Sequence, residues 1–73
     1  MSSAVNEFGQ RVRQARLARG WTQEDLSHAT GLATVQVSRV ERGVREVRLT
    51  TILRLVDALG VPPDELLLGL PTD

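Results

Sequence analysis

The sequence contains no cysteine, which excludes two common ways of stabilising a small domain. Without thiols the chain forms neither a disulfide nor a thiolate metal site, and their absence suits a reducing cytoplasm. The 73 residues predict one domain, with an ordered core over about residues 7–69 because the first six residues are expected to fray. A core of this size contributes only ~3–5 kcal/mol to the net free energy of folding. With disulfides and thiolate metal sites excluded, oligomerisation is the remaining way to stabilise the domain.

Long apolar runs are also absent, since no stretch approaches the ~20 residues that a membrane span requires. The first eight residues lack the charged and then apolar layout of a signal peptide. With one histidine, no cysteine and no glycine-rich phosphate loop, the chain has few groups for catalysis or metal binding. We therefore expect no membrane partner, no cofactor or metal, no small-molecule substrate and no enzymatic activity.

Lysine is missing as well, so all nine basic residues are arginines, and they balance nine acids to a formal net charge of zero. Residues 8–48 hold eight arginines and four acids (+4), residues 49–73 hold one arginine and four acids (−3), and Glu7 supplies the remaining −1. A basic front and an acidic back would orient the molecule on a polyanion. Chance variation in a small domain is the alternative explanation of this asymmetry.

Apolar residues at helical spacing predict a first helix over about residues 7–19. Phe8, Val12 and Ala15 follow the i, i+4, i+7 pattern of a single buried stripe. Gly20 follows, and a glycine just past a helix supplies the left-handed conformation that ends it.

Arg16 lies beside this apolar stripe, which places its charge on the inward side of the first helix. A buried arginine requires an anionic partner. We nominate Glu41 as that partner.

Residues 22–43 predict two short helices joined by a tight turn, over about residues 23–29 and 34–42. Gly31 lies between them, where a reversal of the chain requires positive φ. The apolar residues expected to face inward are Leu26, Ala29, Leu32, Val37 and Val40.

The start of this pair has a strong local signal. Thr22 and Asp25 are spaced as a capping box, with aspartate in place of the usual glutamate or glutamine. Trp21 and Leu26 are spaced as a hydrophobic staple, so core packing is favoured for the tryptophan over base stacking. His28, the only histidine, is expected on the surface with no ligand or catalytic role.

The outward face of the second helix carries short polar groups and arginines, a pattern typical of a DNA-reading helix. Thr34 and Gln36 can hydrogen-bond base edges, and Val35 can contact a thymine methyl group. Arg39, one turn further on, can reach guanine or a phosphate. A solvated helix face is the alternative, but the preceding helix and turn favour double-stranded DNA as the partner.

Phosphate-binding residues are predicted beside this face, where they set register without reading sequence. Ser38 and Arg42 occupy the edge of the same helix. Arg45 and Arg48 lie in the predicted loop over residues 44–48, and they would also suit phosphates.

A fourth helix is predicted over residues 49–59, ended by Gly60. Pro63 can serve as the first residue of a short final helix, with Asp64 and Glu65 at its positive end rather than as a catalytic acid pair. The predicted buried face of the fourth helix comprises Leu49, Ile52, Leu53, Val56 and Leu59.

Four leucines in residues 66–70 exceed what one core-facing stripe can hide. An apolar patch on so small a domain favours a dimer interface over a tail folded back on the domain. The interface residues we predict are Leu55, Leu66, Leu68 and Leu70. Five helices with short links predict an all-α domain.

The run RVRQARLARGWTQEDLSHATGLATVQVSRVERG and the later LVDALGVPPDELL resemble the XRE family of lambda-type repressors and Cro, and the resemblance covers about residues 8–68. It implies a compact five-helix, lambda-repressor-like DNA-binding domain and an autoregulatory transcriptional regulator that binds an inverted-repeat operator as a homodimer. Restriction–modification controller proteins and Cro-like phage repressors fit equally. The implied location is the cytoplasm of a bacterium or phage host, on the nucleoid when bound, and RNA polymerase is a further candidate partner.

The resemblance also implies roles for individual residues. Gln23 would bind a phosphate at the start of the first helix of the pair. Thr34, Val35 and Arg39 match the main base-reading positions, with Gln36 and Ser38 beside them. Arg16 and Glu41 match a buried ion pair between the first helix and the reading helix, and losing one partner should cost ~3–5 kcal/mol.

Three positions depart from the family pattern, and one of them is Val35, an apolar residue at a reading position, where a methyl contact discriminates less than a bidentate pair. Ala33 replaces the Ser or Thr that caps the reading helix, so either the cap is weak or Thr34 provides it and no longer reads bases. Arg48 stands where a serine often caps the fourth helix. The alternative function is a protein-binding module, such as an antitoxin or adaptor, which the arginines of the reading face disfavour.

Overall fold

The computed structural model describes residues 3–72, which form five α-helices joined by short links and no strand. The all-α prediction is confirmed. None of the helices in this part of the chain is long and apolar enough to cross a membrane. The helices are α1 (Ser3–Ala18), α2 (Gln23–Thr30), α3 (Thr34–Arg42), α4 (Leu49–Leu59) and α5 (Pro63–Leu67).

Helix α1 begins earlier than its apolar stripe predicts. It starts at Ser3, and Val5 is buried one turn before Phe8. The prediction of a frayed start is therefore wrong for residues 3–6, and it otherwise concerns residues outside those described. Burial of Val5 supplies the extra turn with the tertiary packing that a short helix segment requires.

One hydrophobic core is shared by all five helices. Ala29 is predicted to face this core but is exposed, because the inward edge of α2 runs from Leu26 to the buried Thr30, four residues later. The buried members of the core are Phe8, Val12, Leu26, Leu32, Val37, Val40, Leu55, Leu59 and Leu66.

Helix α4 is rotated about its axis relative to the prediction. Leu55 is fully buried, whereas Leu49 and Leu53 are 70% and 58% exposed. Helix α4 contains two leucine pairs at i, i+4 spacing, 49/53 and 55/59, and the structure buries the second pair. Leu66 of α5 also lies fully inside the core. The prediction that Leu55 and Leu66 form a dimer interface is therefore wrong, because neither has surface left for a partner.

The backbones of α1 and α3 are in direct contact at Gly9. A Cβ atom at this position would overlap the carbonyl oxygen of Val40 and would lie 2.8 Å from that of Glu41. Only a residue without a side chain permits this approach. The close contact sets the distance between the two helices.

A buried ion pair joins the same two helices. Arg16 donates from Nε to Glu41 Oε2 at 2.7 Å and from Nη2 to Glu41 Oε1 at 2.9 Å, and the two side chains are only 8% and 2% exposed. Its third nitrogen, Nη1, donates to the Trp21 carbonyl at 2.7 Å. The hydrogen bonds to Glu41 raise the pKa of Arg16, opposed by the desolvation of its charge. The sequence pattern predicts the same two residues as partners.

Two further arginines of α1 and the turn after it bind carbonyl groups at the ends of other helices. Arg11 Nη1 donates to Leu68 O at 2.7 Å, just after α5, and Arg19 Nη1 donates to Leu59 O at 2.9 Å, at the end of α4. Arg19 also lies over the Trp21 ring, 4.5 Å from its centroid. A cation suits the negative end of a helix dipole, so these contacts hold α4 and α5 against α1.

The predicted capping box at the start of α2 is confirmed. Thr22 Oγ1 accepts from the Asp25 amide at 3.0 Å, and the Asp25 carboxylate accepts from the Thr22 amide at 2.8 Å. The bond from the Thr22 amide lowers the pKa of Asp25. Trp21, just before the cap, packs against the core as predicted.

We predict that Gly9→Ala destabilises the fold. The new methyl group would meet rigid backbone of α3, so we expect the cost to lie near the upper end of the ~1–3 kcal/mol of overpacking. Alanine regains only ~1 kcal/mol of helix propensity. Urea unfolding followed by circular dichroism measures the difference, with Gln10→Ala on the exposed side of α1 as the control. A Gly9→Ala chain as stable as the parent would contradict the close contact.

We also predict that Glu41→Leu costs ~3–5 kcal/mol of unfolding free energy, because it leaves the Arg16 charge buried without a counter-ion. The double variant Arg16→Met, Glu41→Leu should recover most of this loss, since an apolar pair of similar volume carries no desolvation penalty. Chemical denaturation of the parent and both variants tests this. Equal instability of the single and double variants would show that the uncompensated charge is not the cause.

Candidate nucleic-acid interface

The turn between α2 and α3 is held by a compact set of hydrogen bonds. Gly31 has a φ of +76°, as predicted for the reversal of the chain. Ser27 Oγ donates to Leu32 O at 2.5 Å, while Thr30 Oγ1 donates to Leu26 O at 2.7 Å and accepts from the Leu32 amide at 3.1 Å. These bonds satisfy the buried polar groups of the turn and determine the angle at which α3 leaves α2.

The structure at the start of α3 shows whether Thr34 caps the reading helix in place of Ala33. This residue occupies the N-cap position without a side-chain bond, and the amide oxygen of Gln36 accepts from the Ala33 amide at 3.1 Å. Half of a capping box is therefore present. Thr34 is the first residue of the helix rather than its cap, and its hydroxyl makes no hydrogen bond within residues 3–72.

The four predicted base-reading side chains lie together on the exposed face of α3. Thr34, Val35, Gln36 and Arg39 are exposed. Val37 and Val40 of the same helix are buried. The amide oxygen of Gln36 is engaged in the cap, so its NH₂ group is the free donor. Bidentate pairing with adenine would require Gln36 to release the Ala33 amide.

Three of the predicted phosphate-binding residues already have partners in the protein. Gln23 Nε2 donates to Glu41 Oε1 at 3.2 Å, so its amide shares the buried carboxylate with Arg16. Arg42 Nε donates to Ser38 Oγ at 3.2 Å and to Ser38 O at 3.3 Å, along the edge of α3. A phosphate contact by the Gln23 side chain would have to replace its bond to Glu41.

An open cleft of about 530 Å³ lies between α3, the following loop and α4. Arg39, Arg45 and Arg48 line it, and so does Arg54, which belongs to the acidic back of the chain and is not among the predicted site residues. None of these four arginines makes a hydrogen bond or ion pair with the residues the structure describes. Glu46 is the one acid among the lining residues.

The sequence does contain a signal for Arg54. Thr50 and Arg54 are spaced i, i+4, so they share one edge of α4, and both line the cleft. Neither Thr50 nor Arg54 is apolar, so neither belongs to the pattern from which the buried face of α4 is predicted.

A second exposed surface is apolar. It comprises the exposed leucines Leu49 and Leu53 of α4 and Leu67 and Leu68 at the end of α5, and we call these four side chains the leucine surface. Leu68 is 69% exposed, whereas Leu70 is half-buried against the core. Of the leucines predicted to form a dimer interface, only Leu68 is therefore fully available at the surface.

His28 lies on the surface of α2, as predicted. Its Nε2 atom is 3.9 Å from Glu24 Oε1, and both side chains are highly exposed. The residues described contain no group of three or more histidine, aspartate or glutamate side chains that could hold a metal ion.

Comparison with known proteins agrees with this geometry. A family model described as helix-turn-helix matches residues 12–66. The control protein C.BamHI of Bacillus amyloliquefaciens is 44% identical over 61 residues, which cover 82% of this chain and 75% of that protein. The restriction–modification controller protein C.AhdI of Aeromonas hydrophila superposes with a TM-score of 0.84 at 45% identity, covering 89% of this chain and 98% of that chain.

Longer proteins also match. An uncharacterised HTH-type transcriptional regulator of Mycobacterium tuberculosis is 38% identical over 55 residues, but this chain spans only 22% of its length. The helix-turn-helix segment is thus the part held in common by short and long relatives. The chain belongs to the XRE-type helix-turn-helix family, and the relatives named above are transcriptional regulators and controller proteins.

Proposed function

We propose that this protein is a controller-type regulator that binds an inverted-repeat operator as a homodimer and regulates its own gene. The observation that carries the proposal is the exposed face of α3, which borders a cleft lined by four arginines that have no partner within residues 3–72. Similarity to two controller proteins over most of their length favours this class over phage repressors. Contact with RNA polymerase stays a prediction of the family resemblance.

The exposed face of α3 fits the major groove of DNA. Val35 and Arg39 share the centre of this face, flanked by Thr34 on one side and Gln36 on the other. Arginine can bind guanine O6 and N7 together, and the valine can pack on a thymine methyl group. These side chains read bases in the proposal.

Phosphate contacts in the proposal come from both sides of the reading helix. Arg45 and Arg48 lie in the loop after α3, and their guanidinium groups make no hydrogen bond or ion pair with the described part of the chain. Gln23 is the first residue of α2, so a phosphate beside it would also meet the backbone amides at the positive end of that helix. Ser38 and Arg42 extend the same set along the edge of α3.

The homodimer of the proposal uses the leucine surface instead of the buried leucines predicted from the sequence. Leu49, Leu53 and Leu68 are each more than half exposed. A two-fold axis through this surface would pair equivalent apolar patches and remove them from water. Two reading helices about 34–36 Å apart would then enter successive major grooves, so the operator is an inverted repeat.

Selection from a pool of random duplexes tests the proposal whatever the operator sequence is. We expect enrichment of an inverted repeat that also occurs upstream of the protein's own gene. Fluorescence anisotropy should then give a preference of about a thousandfold or more for the selected duplex over its shuffled version, weakening as salt rises. Equal, weak binding of both duplexes would refute sequence-specific recognition.

Arg39→Ala is expected to relax specificity. Loss of one base contact removes about 1–3 kcal/mol of discrimination, and the dimer loses one in each half-site, so the preference for the selected duplex should fall about 5- to 150-fold per half-site. Arg13→Ala is the matched control, because Arg13 is exposed on α1 and has no partner within residues 3–72. If the two variants retained the same preference, Arg39 would not be a base-reading residue.

Leu53→Glu is expected to convert the dimer to a folded monomer, because it places a charge at the centre of the proposed interface. Sedimentation velocity measures the change, and circular dichroism checks that the helices are retained. Leu17→Glu is the control, since Leu17 is 50% exposed on α1 and lies outside the leucine surface. Dimerisation that survives Leu53→Glu would show that the partner docks elsewhere.

A protein-binding module is the second candidate function, and the leucine surface is the feature that favours it. In that case the leucines would contact a different protein, and the arginine cleft would have no nucleic-acid partner. The duplex selection separates the two functions, because a protein-binding module would enrich no DNA sequence.

A further inference from the structure

The outer surface of α4 has two edges with different chemistry. At 100° per residue, Leu49 and Leu53 follow one edge, while Thr50 and Arg54 follow the other. The first edge belongs to the leucine surface, and the second lines the arginine cleft. The polar edge has no role in the function proposed above.

Arg54 extends from α4 to the turn of the helix-turn-helix. Its Nη1 atom lies 3.9 Å from the position that a Cβ atom would occupy on Gly31. Arg54 of α4 and Arg39 of α3 both line this cleft. A ligand in the cleft would therefore lie directly beside the reading helix.

The charge in this cleft is not neutralised within the described part of the fold. Four arginines face it against the single acid Glu46, which forms no ion pair with any of them. The arginines that hold α1 to the other helices differ from these, because their guanidinium groups donate to Glu41 or to helix-terminal carbonyls. Like charges around an open cleft favour an anionic ligand.

The ligand chemistry that fits best is phosphate. A guanidinium group donates two parallel hydrogen bonds to phosphate oxygens, and it is more weakly hydrated than an ammonium group. Thr50 and Thr51 add hydroxyl donors to the lining. Because the duplex backbone flanks any helix that enters the major groove, a phosphodiester is the source of phosphate at this position.

We propose that Arg54 binds a DNA phosphate and forms, with Arg45 and Arg48, a clamp on the strand beside the reading helix. This inference rests on the proposed function and extends the interface from α3 to α4. The clamp contributes affinity for all sequences equally, because phosphate contacts carry no base information.

Arg54→Gln tests the clamp by its effect on salt dependence. Anisotropy with the selected and the shuffled duplex is measured from about 50 to about 200 mM salt. We expect weaker binding to both duplexes. The slope of log K against log salt should be smaller by about 1.8, because the dimer loses one phosphate contact, worth about 0.9, in each of its two subunits. The affinity gap between parent and variant should therefore shrink about twelvefold across this range.

Two matched variants complete the experiment. Arg13→Gln removes the same charge from the exposed side of α1 and should leave the slope unchanged. Arg54→Lys keeps the charge and should restore most of the slope. An Arg54→Gln slope equal to that of the parent would overturn the clamp while leaving the proposed function intact. If the parent protein bound the selected and the shuffled duplex equally, the proposed function would be refuted instead.

Inorganic pyrophosphate distinguishes a DNA phosphate from a small anion. Calorimetric titration of the parent without DNA should give no saturable binding at physiological salt, because the clamp is completed by a phosphate held on the duplex. Tight pyrophosphate binding that Arg54→Gln abolishes, together with an unchanged DNA salt slope, would show that the cleft serves a free anion and would overturn the proposal.

Discussion

The buried ion pair between Arg16 and Glu41 is the interaction on which the arrangement of the first three helices depends. Its two parallel hydrogen bonds join α1 to α3, and the remaining guanidinium nitrogen donates to the Trp21 carbonyl before α2. Gln23 adds a bond to the same carboxylate from the first residue of α2. An apolar pair could match the stability, but it would not impose the directions of these bonds. The ion pair therefore orients α3 relative to the other two helices.

Charge counted by segment is a partly misleading guide to the binding surface. Arg11, Arg16 and Arg19 belong to the basic front, yet they donate to a carboxylate or to helix-end carbonyls of the protein itself. Arg54 belongs to the acidic back, yet it lines the cationic cleft. The net charge of a segment gives the number of arginines in it, but not which of them are paired in the fold. The pairing depends on contacts between residues far apart in the chain, and a count over one segment does not include these contacts.

Most features that could be predicted from the sequence are local ones, and the ion pair between Arg16 and Glu41, 25 positions apart, is an exception. The bounds of α3 and α4, the capping box at Thr22 and the turn at Gly31 depend on residues at most a few positions apart. The rotation of α4 could not be predicted, because 49/53 and 55/59 are equally good leucine pairs. Leu66 of α5 lies in the same buried cluster as the second pair, Leu55 and Leu59. The first pair is thereby left on the surface, together with the edge that carries Arg54.

Helix α4 gains a specific mechanical role if both surfaces act as proposed. One edge would lie at the two-fold axis through Leu53, and the opposite edge would hold a DNA phosphate through Arg54. Both residues are on one uninterrupted helix, so the distance from the axis to the phosphate is the width of a rigid element rather than the reach of a loop. Half-site spacing would then be determined mainly by α4, while base identity would be read by α3. A substitution that tilts α4 should alter the preferred spacing and leave the half-site sequence unchanged.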